Sequence, residues 1–162
     1  MRAIRTGILM AACLVPAGAA AQPTPTLLES YVRVTELSSY MTVHVGELLL
    51  ACAARNVLTE EQAEARYQAY RKRNAALLER AEAWSRDAEK RLQAQGEGRV
   101  AQRLADESDL TAKAAASMRA QDEIGKAADG RAACAVRLAA IESGRYDLSG
   151  NAEFVELLKA KP

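Results

Sequence analysis

The side chains able to do covalent or acid–base chemistry are few in this sequence. Beyond residue 21 it holds two cysteines, Cys52 and Cys134, and the chain's one histidine, His44. His44 stands one turn past Met41, and with Met118 as a second thioether the group would suit copper or an axial haem ligand. The haem-attachment spacing C-x-x-C-H is absent, and so is a three-ligand zinc set. A metal- or haem-binding helical bundle using His44 and Met41 is therefore the second reading, and the first expects no cofactor. A serine hydrolase would have to place its base inside a helix, and no Gly-x-Ser-x-Gly elbow occurs. A Cys–His nucleophile would consume a cysteine better explained by pairing. The acids alternate with bases along helical stretches, as they do on solvated faces. No residue is left with a catalytic part, and the expectation is a protein that is not an enzyme.

The elements that must position these groups read as helices. In Leu27–Asn56 the residues Leu27, Tyr31, Val34, Ser38, Met41, Val45, Leu48 and Cys52 follow steps of four and three, one seam of a packed helix. The same alternation runs through Ala63, Tyr67, Tyr70, Asn74, Leu77, Ala81, Trp84, Ala88 and Leu92, and no Gly or Pro interrupts it before Gly96. A helix from Thr59 to Gln95 would be about 55 Å long. Gly96 and Gly98 make a turn. Val100, Leu104, Leu110, Ala114, Met118, Gln121 and Ile124 then suggest a third helix with a weaker core stripe, which Gly125 and Gly130 either end or weaken. Cys134, Leu138 and Ile141 share a face, Gly144 is placed to cap it, and Phe154, Leu157 and Leu158 mark a last short helix.

These lengths allow one long-range inference. If the second helix runs down and the chain returns upward from Glu97, equal helical rise brings Cys134 level with about Glu60. Cys52 lies within three turns of that level. The fold class expected is all-α: an antiparallel bundle of three to four helices with a long central hairpin, clasped by a Cys52–Cys134 disulfide.

The start of the chain gives the compartment. Arg2 and Arg5, the short apolar run Gly7–Val15, and Ala19-Ala20-Ala21 read as a secretory signal peptide over residues 1–21. The run is far short of the ~20 apolar residues of a membrane span, so no stable span is expected after removal. Residues 22–26, with Pro23 and Pro25, form a flexible entry, and residues 27–162 form a single helical domain. An exported chain reaches an oxidising compartment, where a disulfide persists. The net charge is +1, and losing Arg2 and Arg5 makes it −1, which excludes an electrostatic case for nucleic acid. Hydrophobic residues are 49% of the chain and aromatics 4%, so the core is alanine-rich and thin.

Binding is what remains. Tyr67, Tyr70 and Trp84 share a stripe with Asn74, a polar residue at a seam position of the kind that fixes register or partner. If the bundle leaves that stripe uncovered, it is the docking surface for a protein or envelope partner, and self-association is equally open. Arg71-Lys72-Arg73 with Arg66 and Arg80 reads as a solvated basic face. Leu58-Thr59-Glu60-Glu61-Gln62 begins the second helix with a capping box. It also resembles the Leu-Thr-x-x-Gln motif of the small helical periplasmic chaperones related to Spy and CpxP. That family carries the motif twice and this chain once; the resemblance implies a chaperone-like role. The expectation is thus an exported, periplasmic, non-catalytic helical binding protein. Protein from the exported pool should begin at Gln22, and N-terminal sequencing that recovered Met1 there would overturn the leader.

Overall fold

The computed structural model describes residues 25–162; the leader and most of the entry segment lie outside them. Five helices make up the described residues, with no strand among them: α1 (Leu27–Ala54), α2 (Glu60–Ala94), α3 (Gly98–Ala120), α4 (Gly130–Glu142) and α5 (Ala152–Lys159). A π-helical turn, Gln121–Gly125, follows α3, and a 3-10 turn, Leu148–Gly150, precedes α5. The fold is the expected all-α bundle. α3 passes at Gln121 into the π-helical turn, which ends at Gly125, and Gly130 opens α4 behind its Asp129 cap.

Local chemistry sets the boundaries. Thr26 and Thr59 open α1 and α2 with reciprocal capping boxes to Glu29 and Gln62. Leu58 and Ala63, on either side of that cap, both pack in the core beneath it. Within Leu58–Gln62, Thr59 and Gln62 thus serve to start α2. α1 ends two residues earlier than its pattern suggests, because Asn56 turns into the left-handed region at φ 55°. Gly96 (φ 81°) and Gly144 (φ 79°) close α2 and α4 the same way, where a side chain would strain the backbone.

α1 is the centre of the bundle, packed most extensively on α3 and next on α2. Short turns make α2 antiparallel to both, and α4 with α5 forms a broken fourth member returning along α1 and α2. By length and a mean hydropathy of 1.3 over its most apolar window α1 could cross a membrane. Here it is a core helix, carrying Tyr31, Val34, Val45 and Leu48 into the interior.

Cys52 and Cys134 are bonded, with Cα atoms 5.6 Å apart. Both are fully buried, in the core cluster at the α1–α2 turn. The bond ties the end of α1 to the first turns of α4, as equal helical rise requires.

The third helix departs from its expected phase. Its core face is Ala101, Ala105, Ala112, Ala116 and Ala120, while Val100, Leu104, Leu110 and Met118 are exposed. Alanine lets the α1 and α3 backbones approach closely, and a row of larger side chains would hold them apart. Only Ile124 of the expected stripe is buried.

Opening the disulfide should lower stability without unfolding the helices. For a sequence separation of 82 residues the chain-entropy relation gives about 4–5 kcal/mol as an upper figure. Cys134→Ser should therefore melt well below the parent protein and keep its far-UV helical signal. Equal melting temperatures would mean that the bond adds nothing to the fold.

Candidate binding groove

The aromatic stripe of α2 is not a continuous exposed surface. Tyr70, Asn74 and Trp84 are buried, at 0%, 2% and 6% exposure. Their cover is the chain's own C-terminal segment. Asn74 Nδ2 donates to the Tyr70 carbonyl (2.9 Å) and to Asp147 Oδ1 (3.2 Å), and its Oδ1 accepts from the Leu148 amide (2.7 Å). Trp84 Nε1 donates to the Ala160 carbonyl at 2.8 Å. Burial pushes the Tyr70 phenol well above its ordinary range.

The arginines of α2 act on the same segment. Arg66 pairs with Glu142, Arg73 donates to the Ile141 carbonyl (2.7 Å) and pairs with Asp147, and Arg80 donates to the Leu158 carbonyl (2.8 Å). Spaced by seven, they form one row along the helix. The expected solvated basic face is, for these three, a clamp.

His44 lies in a buried polar cluster at the π-helical turn. Its ring stacks on Tyr40 at 5.6 Å and tilts against Tyr146 at 5.8 Å. Nδ1 is 3.2 Å from the Ala116 carbonyl, so it carries the proton, and Nε2 faces Glu123 Oε1 at 3.8 Å. That carboxylate is paired with Arg119 and Arg137. Met41 is drawn elsewhere: its sulfur accepts from Asn151 Nδ2 at 3.5 Å. Met118 points out of α3. The second reading thus has its imidazole enclosed by two tyrosines and its methionines committed to other surroundings.

Tyr67 is the member of the predicted stripe that borders an open space. α1 forms the floor of a trough whose walls are α2 and, further along, α3. Toward the α1–α2 turn the trough holds a groove of about 270 Å³, lined by Val43, Gly46, Leu49, Leu50, Ala63 and Tyr67 with Glu47, Glu60 and Glu64. The Tyr67 ring lies directly over Gly46, where a Cβ would stand in ordinary van der Waals contact with it at 3.5 Å. Leu50 is more than half exposed at the mouth. Beyond Val43 the trough continues as a hydroxyl-lined section of about 310 Å³ along Thr35, Ser38, Ser39 and Thr42. Those hydroxyls donate to backbone carbonyls of their own helix or, from Ser39, to Asp109.

The electrostatics of the groove are one-sided. Among the described residues no ion pair involves Glu47, Glu60 or Glu64, and no base lines the space. An apolar floor inside a carboxylate rim accepts an apolar group carried next to a positive charge. Sequence periodicity finds Ala63 and Tyr67 and misses Gly46, Leu50 and the three glutamates, which are defined by a gap between helices.

No family model, curated protein or solved structure matches the chain.

The role of Asn74 is testable. Asn74→Ala removes the acceptor of the buried Leu148 amide, a loss of about 2 kcal/mol. The melting temperature should fall by about 4–8 °C at this chain length, and proteolysis should first release the segment after Gly144. An unchanged melt would show that the segment is held without this bond.

Proposed function

We propose that this protein is an exported, periplasmic binding protein without catalysis, whose groove toward the α1–α2 turn takes an apolar, positively charged segment of a partner protein. The observation that carries the reading is the apolar pocket of Val43, Leu49, Leu50, Ala63 and Tyr67 set inside three carboxylates that no cation among the described residues pairs, Glu64 accepting only from the Gln68 amide. The disulfide supports an oxidising compartment, and the leader-like start of the chain supports the periplasm.

The mechanism is one of complementarity. Insertion of an aliphatic or aromatic side chain would cover Leu50 and the Tyr67 ring, at roughly 25 cal/mol per Å² of apolar surface removed from water. Glu47, Glu60 and Glu64 would then select lysine or arginine neighbours and reject acidic ones. Glu60 lies in the first turn of α2, where the helix dipole favours its charge. Binding of this kind serves a chaperone-like holding role or a fixed partner equally well, since both present such segments.

Calorimetry with two peptides tests the reading. An amphipathic leucine–lysine peptide should bind, and its leucine–glutamate analogue should not. Raised salt should weaken the interaction, and Glu60→Lys with Glu64→Lys should weaken it about tenfold or more. Leu50→Asp should do the same without loss of helicity. Equal binding of the two peptides, or binding indifferent to all three substitutions, would dispose of the groove as the site.

A further inference from the structure

The exposed side of α3 carries a second organised pattern. Val100, Leu104, Glu107, Thr111, Ala114 and Met118 follow one another at alternating steps of four and three, the spacing of a coiled-coil seam. This row lies outside the alanine face that contacts α1, and Leu104, Glu107 and Thr111 in its middle border an open space shared with α1. Val100 is 50%, Met118 61% and the flanking Leu110 69% exposed. A seam of this kind is built to meet another helix.

We propose that the occupant is α3 of a second copy of this chain, docked antiparallel about a two-fold axis level with Asp109. The row is self-complementary in that arrangement. Reversal about Asp109 sets Val100 against the partner's Met118, Leu104 against the partner's Ala114, and Glu107 against the partner's Thr111. Large side chains meet each other or a small residue, and the one charge of the seam meets a hydroxyl. A parallel pair would instead oppose two Glu107 carboxylates across the seam, which is destabilising. On the Leu110 flank the two leucines meet beside the axis; Arg103 stands level with the partner's Ala115, and Arg99 level with the partner's Arg119, which lies on the opposite flank of its helix. No like charges are brought together there. Beside the seam lies an open space of about 740 Å³ between α3 and α1, bordered by Leu28, Val32 and Leu104 and also by Glu29, Arg33, Glu36 and Glu107.

Protein recovered from the exported fraction after expression of the full chain tests this by sedimentation equilibrium from about 1 to 200 µM. A mass rising to twice the monomer is expected, and Leu104→Glu should weaken association about tenfold or more. Cross-linking fixes the arrangement. Under mild oxidation Leu110→Cys should link to its own copy, Val100→Cys should stay unlinked, and Val100→Cys combined with Met118→Cys should link. Far-UV spectra establish that each variant remains helical. A monomer over the whole range overturns the proposal. So does a dimer indifferent to Leu104→Glu, and so does a Val100→Cys variant that links alone.

Discussion

The C-terminal segment cannot hold itself in place, and the bundle depends on how α2 holds it. α5 spans Ala152–Lys159, shorter than the ~12–15 residues at which an isolated helix becomes even marginal in water. Its apolar side offers Phe154 and Leu158 to a core otherwise rich in alanine. What fixes it is a series of side-chain donors on α2 reaching main-chain carbonyls: Arg73 to Ile141, Arg80 to Leu158 and Trp84 to Ala160. Asn74 adds the buried acceptor for Leu148. On α1, Arg33 grips Glu153 through two bonds of 2.7 and 2.8 Å and holds its carboxyl below the usual range. At the other end the disulfide fixes α4, so the returning arm is anchored at both ends and zipped between them.

That dependence explains how a thin core suffices. A helix rich in alanine buries little area per turn, so close approach and directional bonds must make up what bulk does not. α3 shows one half of the solution, five small residues laid against α1. α2 shows the other half, a row of arginines whose stems lie along the surface while their heads cap carbonyls that the broken fourth helix leaves open.

Much of this was legible in the residues. The capping boxes, the glycine-ended helices and the level of the two cysteines all follow from short-range chemistry and from a fixed rise per residue. The phase of α3 was not, because periodicity weights large apolar side chains, and here those form the outer row while Ala101 through Ala120 form the inner one. A stripe at helical spacing identifies a face that is covered by something, and does not say whether the cover belongs to the same chain. Asn74 shows the converse. Its polarity at a seam position marked it as a specificity residue, and the partner it specifies is the 3-10 turn at Leu148. The groove beside Tyr67 was the least visible, since it is a gap between α1 and α2, and no local pattern records a gap.

The two open surfaces are compatible because they point in different directions. Lys113 lines the trough on one side of α3, and Met118 lies about 140° further round the same helix at 3.6 residues per turn. A second copy seated on Val100–Met118 therefore leaves the trough of each copy uncovered. The resulting pair would carry two acidic-rimmed grooves on one rigid body. A client offering two cationic apolar segments would then engage the second groove at high effective concentration, gaining avidity without a new contact in either site. A single shallow groove of about 270 Å³ is a weak holder by itself. The proposed pairing through α3 would raise the effective strength of such a groove by avidity alone.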